Sequence, residues 1–417
     1  MTDFGSLSTI ISKIRTWGVK GIWDAVGRAC AARANRRRVM KLIAASQKRT
    51  PERGLTVIAD LTGRLALSKT MRDFVTLLGR AGIPYQTYDT RLKPEIPKED
   101  YEKILTPRAE FDFHRYTHTV ELYRSILPDG IPEKKSRIVF HDSAAGILES
   151  MPYLDTTDSV LALSDFNYDY FKVALTRSKV HKIVYPLLLP ACERTPRNEV
   201  RAKYGMGADD FVVFFNFDFG SYYRKNPKAA MWAFAKAFAD VPQAKLLFKT
   251  KNAAKCPQHV RELESLAREL ALGERFIHLS AYLPRRDLDG LTDACDVYLS
   301  LHKSEGFGLG IAEAMSLGHP AVVTDWSATT EFCKVDNSMP IPYELVPIRP
   351  WEYPACMKEW AEADVDAAAS ALRRLYEDLD FRAELGRKAQ AFIKEHFSLA
   401  NFRRSVEAWL SYEGQMP

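Results

Sequence analysis

Glu305-Gly-Phe-Gly-Leu-Gly-Ile-Ala-Glu313-Ala-Met-Ser-Leu-Gly318-His-Pro320 runs between two short apolar segments, 297–301 and 321–324, and reads as strand, loop, helix, strand. Gly306, Gly308 and Gly310 free the loop to bring backbone N–H groups close to a ligand, and the helix beginning there turns its positive end toward bound anions. A phosphate fits such a place. Glu305, at the end of a strand, is placed to accept hydrogen bonds from sugar hydroxyls, and Glu313, on the first helical turn, from a ribose diol. The same residues also admit a plainer reading, with Glu313 complementing the helix dipole and the glycines forming a turn.

Outward from this stretch, strands and helices alternate. Phe211–Phe215 reads as a buried strand, followed by a helix with Asn226 as N-cap, Pro227 at its first position and Met231, Phe234 and Phe238 on one face. Further strands are expected at 246–248 and 276–279, with helices near 260–271, 285–294 and 310–317. Toward the N-terminus, strands are expected at 55–59, 85–88, 103–106, 137–140, 159–163 and 182–184. Met71, Phe74, Val75 and Leu78 form a helical face after the first of them. Pro186, Pro190 and Pro196 mark a linker. The fold class is therefore α/β with two doubly wound, Rossmann-like domains on parallel sheets. The expected division is a basic helical extension over 1–50, an N-terminal Rossmann-like domain over 51–190, a C-terminal Rossmann-like domain over 191–395, and a C-terminal helix over 396–417 that packs back on the N-terminal domain.

Composition excludes several classes. Of 417 residues 46% are hydrophobic and 27% charged, and no run approaches the roughly 20 apolar residues that a membrane-spanning helix needs. The six cysteines lack a CxxC pair, which argues against structural zinc and a disulfide framework and suits the cytoplasm. Residues 1–50 hold eleven Lys/Arg against two acids, a charge of +9 within a chain of net +6, so the remainder carries −3. With Trp17 and Trp23 in that segment, residues 1–48 are expected to meet an anionic membrane surface rather than nucleic acid, the alternative being a helix docked on the body of the protein. The pairs Asp287/Asp289, Asp364/Asp366 and Asp378/Asp380 read as solvated helical faces, and no metal site or cofactor is expected.

The two glutamates seven residues apart, with Gly-Phe-Gly-Leu after the first, Glu313-Ala-Met, and Gly318-His-Pro320 at the end, resemble the donor-binding signature of the retaining GT-B glycosyltransferases of family 4. Lys225-Asn226-Pro227, Gly290–Asp296, Thr324–Ser327 with Glu331-Phe332, and Trp360–Asp364 extend the likeness, toward bacterial members that build surface polysaccharides. The resemblance covers 200–410 well and the N-terminal half diffusely, through Glu149–Pro152 and Ser164–Phe166. It implies that Glu305 holds the donor sugar, Glu313 the ribose, and the backbone of Gly306, Phe307, Gly308 and Leu309 the sugar and diphosphate, with Tyr282 in the same donor set. Family members carry a Gly-Arg step about five residues before the lysine where this chain has Gly220, so Arg224, Lys225 and Lys249 compete for two diphosphate-clamping roles. His141, with Asp142 after a strand, borders the acceptor by the same resemblance. The implied activity is retaining, metal-independent transfer of a hexose, mannose-like at a guess, from a nucleoside diphosphate sugar to a glycan or lipid-linked acceptor on the cytoplasmic face of the membrane. The alternatives are a dinucleotide-dependent oxidoreductase using Gly306–Gly310, which lacks the x-x-G spacing, and a non-catalytic scaffold of a glycan assembly complex.

Overall fold

The computed structural model describes residues 37–46, 50–64, 66–107, 110–122, 135–139, 154–189, 193–349 and 357–412, with the isolated positions 30, 33, 34 and 352. The chain forms two compact units, residues 1–138 with 157–159, and residues 139–156 with 160–417.

In the first unit, β1 (Glu52–Ala59) is followed by α1 (Ala66–Arg80), β2 (Tyr85–Asp89), β3 (Tyr116–Leu122) and β4 (Lys135–Val139). All pair in parallel, in the order β2-β1-β3-β4. Leu55, Val57 and Ile58 are buried on both faces of β1, as a strand inside a parallel sheet demands. Met71, Phe74, Val75 and Leu78 on α1 are fully buried, so the apolar stripe does face the core. The expected strand at 103–106 is instead a series of turns, its Thr106 exchanging hydrogen bonds with Thr87. The true neighbour of β1 is β3, whose His118, Thr119 and Glu121 are polar yet buried, a pattern that hides a central strand from a hydrophobicity reading.

Residues 37–45 are helical and belong to this core. Val39 is fully buried with Ile58, Tyr88, Phe111 and Phe113, and Leu42 and Ile43 pack beside them. Arg38 donates to the Tyr88 hydroxyl and the Asp89 carbonyl, both at 2.7 Å, so one of the basic side chains assigned to lipid is a structural clamp. Trp17, Trp23 and the rest of the basic segment before position 30 lie outside the described residues.

The second unit begins its regular structure with β5 (Ser159–Ala162), α2 (Asp165–Ala174), β6 (Lys179–Lys182) and α3 (Arg197–Lys203). Its main sheet comprises β7 (Phe211–Asp218), β8 (Ala244–Lys251), β9 (Phe276–Ser280), β10 (Val297–Ser300), β11 (Ala321–Thr324) and β12 (Met339–Ile341). The order is β12-β11-β10-β7-β8-β9, parallel throughout. Counted within this sheet, that is the doubly wound order 3-2-1-4-5-6, which reverses between β7 and β10. Ligands of open α/β sheets bind outside the carboxyl ends of the strands at that reversal. Connecting helices are the short α4 (Tyr222–Lys225), α5 (Pro227–Ala237), α6 (Pro257–Glu269), α7 (Arg285–Asp293) and α8 (Leu309–Ser316). An antiparallel hairpin of β13 (Tyr343–Pro347) and β14 (Glu359–Ala363) precedes α9 (Val365–Glu377), α10 (Leu379–His396) and α11 (Leu399–Leu410). On α11, Ser405 Oγ accepts from Val184 N at 3.0 Å.

Sequence expectation and structure differ in two local ways here, at Asn226 and at Asp289, while the other aspartate pairs are exposed as expected. Asn226 precedes α5 in a left-handed conformation, φ 52°, without capping it; its Nδ2 donates to Glu362 at 2.8 Å instead. Asp289 is buried and paired with Arg285 rather than solvated. Asp364 and Asp378 are N-caps of α9 and α10, which explains those aspartate pairs as helix starts. Among the described residues no helix is long and apolar enough to cross a membrane.

The buried position of Val39 generates the first prediction. Val39→Ala should destabilise the protein by about 2 kcal/mol, the order expected for a truncated core side chain, and removal of residues 1–48 should cost more. Urea unfolding curves of the two variants check it; an unchanged midpoint for Val39→Ala would detach the helix from the core.

Candidate functional site

The carboxyl ends of β7 and β10 carry the residues that the sequence singles out. After β10 the chain enters the loop 301–308, and Glu305 sits in it only 5% exposed. Its backbone is fixed by Ser327: Glu305 N donates to Ser327 Oγ at 2.8 Å, and Ser327 holds a positive φ of 69° to do so. Its carboxylate receives Arg224 Nη1 at 3.2 Å on one oxygen and Lys225 Nζ on the other. Arg224 also donates to Ser304 O at 2.8 Å, while Lys303 N donates to Arg224 O at 2.8 Å. The short helix after β7 and the loop after β10 are thereby stitched across the reversal point. Burial raises the Glu305 pKa, but the facing Lys225 and Arg224 cations outweigh it and hold the carboxyl at about 2. Glu305 is ionised at any physiological pH. Burial pushes His302, two strand positions after Ser300, down to about 4, so this imidazole is neutral and serves the frame through Ser300, Thr329 and the Trp326 carbonyl.

Beyond Glu305 the loop presents its backbone. Gly308 takes φ 92°, a left-handed value, and a Cβ there would come within 2.6 Å of Thr329. A Cβ on Gly310 would come within 2.5 Å of Tyr298 OH and 2.6 Å of Asn216 Oδ1, so the start of α8 rests directly on β7 and β10. The N–H groups of Gly306, Phe307, Gly308, Leu309 and Gly310 donate to no acceptor among the described residues. They form a row of donors at a helix N-terminus, the arrangement that binds anions. Asn167 Nδ2 donates to Gly306 O at 3.2 Å, which fixes the peptide plane whose N–H belongs to Phe307. The Phe307 ring is buried against Tyr185, stacked at 3.4 Å, with Phe332 and Phe397 around it; only its backbone faces the loop.

Lys249 on β8 lies opposite Asn216 in the register, one strand spacing, about 4.8 Å, from the strand on which α8 rests. It is 3% exposed, and its ammonium has no ion-pair or hydrogen-bond partner among the described residues. Burial and the neighbouring Lys251 lower its pKa to about 8, with Asp218 opposing them. The three candidate cations thus separate: Arg224 and Lys225 both pair with Glu305, whereas Lys249 is buried on β8 without an ion pair among the described residues.

Glu313 stands in the second turn of α8, not the first, and is 7% exposed. Its carboxylate receives Arg285 Nη1 from α7, and Arg285 Nε donates to Asp289 at 2.8 Å. Tyr282 lies three residues before Arg285 in the segment after β9, 44% exposed. His141 and Asp142, as well as Glu149–Pro152, fall outside the described residues. Sequence reasoning missed Arg285, Ser327, Asn167 and Asp218, because nothing in their local pattern announces a tertiary partner. Among the described residues no group of three or more His, Cys, Asp or Glu side chains could hold a metal ion.

Comparison with known proteins agrees with this geometry. Residues 197–336, which contain β7, the stitched loops and α8, match the family model described as Glycosyl transferases group 1. No curated protein sequence matches the chain. Among solved structures, HepE from Anabaena in complex with UDP and glucose superposes with a TM-score of 0.62 at 15% identity, covering 87% of this chain and 100% of that one. A glycosyltransferase from Rickettsia africae gives 0.64 at 13% identity, over 86% and 98% of the two chains. Sucrose-phosphate synthase from Thermosynechococcus elongatus gives 0.62 at 15%, over 87% and 99%. The fold is GT-B, with two Rossmann-like domains.

Lys249 yields a prediction of pH dependence. Its pKa of about 8 means that the free protein loses this charge above pH 8, so binding of an anion beside it must be accompanied there by protonation of the Lys249 amine. Affinity for a nucleoside diphosphate should fall as pH rises from 8 to 10, by up to about tenfold per unit, and Lys249→Arg should flatten the profile. Calorimetric titrations across that range check it; a wild-type profile that stays flat would remove Lys249 from the anion site.

Proposed function

We propose that the protein transfers a sugar from a nucleoside diphosphate sugar, bound at the carboxyl ends of β7, β8 and β10, to a glycan or lipid-linked acceptor. The observation that carries this reading is the buried, ionised Glu305 held by Arg224 and Lys225 at the head of a row of unengaged amides. A carboxylate in that place accepts from sugar hydroxyls, while the amides and Lys249 receive the diphosphate. The group 1 match over these residues, and the UDP and glucose in HepE, support the same assignment.

In the reaction the glycosidic bond to the diphosphate breaks and negative charge builds on the departing oxygens. Lys249, the loop amides and the α8 dipole are preorganised around that charge, and Arg224 and Lys225 add to the local positive potential. The family resemblance favours retention of configuration, with the acceptor oxygen attacking the face from which the nucleotide leaves, without a metal. It also favours a hexose and a place in surface polysaccharide synthesis. The basic segment over residues 1–48, with Trp17 and Trp23, suits contact with anionic lipid on the cytoplasmic face, bringing the site to a membrane-held acceptor.

The division of labour between the glutamates tests the reading. Glu305→Ala should lower kcat/KM for the intact donor by about 10² or more beyond whatever loss of nucleoside diphosphate affinity follows from breaking its tie to Arg224 and Lys225. Lys249→Ala should lower kcat by about 10² to 10³, as loss of a preorganised electrostatic group does. Steady-state kinetics with a panel of UDP-, GDP- and ADP-sugars, beside nucleotide titrations, supply the numbers. Full turnover in Glu305→Ala would end the assignment, and a purified protein inert toward the whole panel would favour the non-catalytic scaffold.

A further inference from the structure

Glu331 has none of the roles assigned so far, yet it joins the elements that hold the glycine loop. It ends the 3₁₀ turn Ser327–Glu331, whose Ser327 Oγ accepts from Glu305 N at 2.8 Å and whose Ala328 N donates to Glu305 O at 3.3 Å. The turn thus grips the backbone of Glu305 on both sides. The next peptide of the loop is held by another element: Asn167, fully buried in the first turn of α2, donates from Nδ2 to Gly306 O at 3.2 Å.

The Glu331 side chain, 8% exposed, ties the turn to α2. Its Oε2 accepts from Asp165 N, the first amide of α2, at 3.0 Å. Its Oε1 takes Lys182 Nζ of β6 at 3.0 Å and lies 3.3 Å from His396 Nε2 at the end of α10. Lys182 Nζ also donates to Asp165 Oδ1 at 2.6 Å, so Lys182, Asp165 and His396 are the titratable groups around Glu331. Burial raises the Glu331 pKa, but His396, Lys182 and the Asp165 amide together hold it below the ordinary value, and the carboxylate is charged at neutral pH.

The first amides of a helix find no partner within it. In α2, Ser164 Oγ accepts from Asn167 N at 3.2 Å, and Glu331 accepts from Asp165 N across 166 residues of sequence. A carboxylate at this end also complements the helix dipole. Glu331 thereby seats the turn that carries Asn167. Gly306 O lies in the same peptide plane as Phe307 N–H, one of the donors proposed for the diphosphate.

We propose that Glu331 is a positioning residue of the donor site: by seating the first turn of α2 it sets Asn167 on Gly306 O, and so aims the Phe307 amide at the diphosphate. This rests on the reading of the loop amides as the diphosphate site. Glu331 acts through Asn167, not by contact with the donor.

A double-mutant cycle on the full-length chain tests it, with the Kd of UDP, GDP and ADP read by titration calorimetry and Tm measured beside it. Glu331→Ala and Asn167→Ala should each weaken nucleoside diphosphate binding by about tenfold. The double variant should also lose about tenfold, because the second change breaks a link already broken. Glu331→Gln keeps both the reach and an acceptor for Asp165 N, and should stay within about threefold of the wild type. Glu331→Asp keeps the charge but withdraws it from Asp165 N; it should weaken binding as the alanine does, and it runs the same cycle should Glu331→Ala not fold. Wild-type Kd in Glu331→Ala and Glu331→Asp, whatever their Tm, would overturn the inference and leave the function reading in place. So would a loss that Asn167→Ala does not share, or one that multiplies to about a hundredfold in the double variant, the pattern of two separate structural contributions. Binding of none of the three nucleotides by the wild-type chain would end the function reading, and this inference with it.

Discussion

A buried carboxylate held between two cations organises the nucleotide half of this protein. Glu305 alone at 5% exposure would be a costly charge; with Lys225 and Arg224 against it, it is ionised down to about pH 2 and ties the loop after β10 to the short helix after β7. That tie spans the point where the sheet order reverses, which is where an α/β sheet opens a crevice to ligands. The glycines can then be unconstrained by side chains without the loop being loose. Ser327 holds Glu305 N, Asn167 holds Gly306 O, and Asn216 and Tyr298 support the first turn of α8. The amides left over are directed by the bonds made around them.

Charge is distributed around this anchor with a division that composition does not reveal. Arg224 and Lys225 are adjacent in sequence and both meet Glu305, so they serve the frame as well as the ligand. Lys249, a strand away, is buried near Lys251, and burial first, with Lys251 second, lowers its pKa to about 8 against the opposing Asp218. On the far side of α8, Arg285 answers the two acids of the α7–α8 contact.

Much of the second unit can be read from sequence because its strands are runs such as Phe211–Phe215 and Leu246–Phe248, apolar on both faces, separated by amphipathic helices and punctuated by Pro227 and Pro257. The glycine loop is legible for the same reason: Gly308 and Gly310 stand where a side chain would collide, and that requirement is written in residue type. β3 is not legible, since Thr117, His118, Thr119 and Glu121 give a polar text for a strand at the centre of a sheet. The β13–β14 hairpin escapes because β13 and β14 are only five residues each and lack a regular alternation, their charges falling at Glu344, Glu359 and Glu362, so that their pairing is decided by tertiary contact. Glu313 was legible as important but not in its setting, because the Arg285 that holds it lies 28 residues away on another helix. The helix at 37–45 reads as a basic surface feature, and only the structure shows Val39 inside the core and Arg38 clamped on Tyr88.

The claim on which all this converges is that the amides from Gly306 to Gly310 receive the diphosphate of a nucleotide while the glutamates on either side receive its sugars. Hydrogen–deuterium exchange of the full-length protein, with and without a saturating nucleoside diphosphate, measures it at those amides. The account predicts slowed exchange concentrated in peptides covering 303–312, with the peptides over α9 and α10 unchanged. Exchange in 303–312 that is the same with and without bound nucleotide would contradict it.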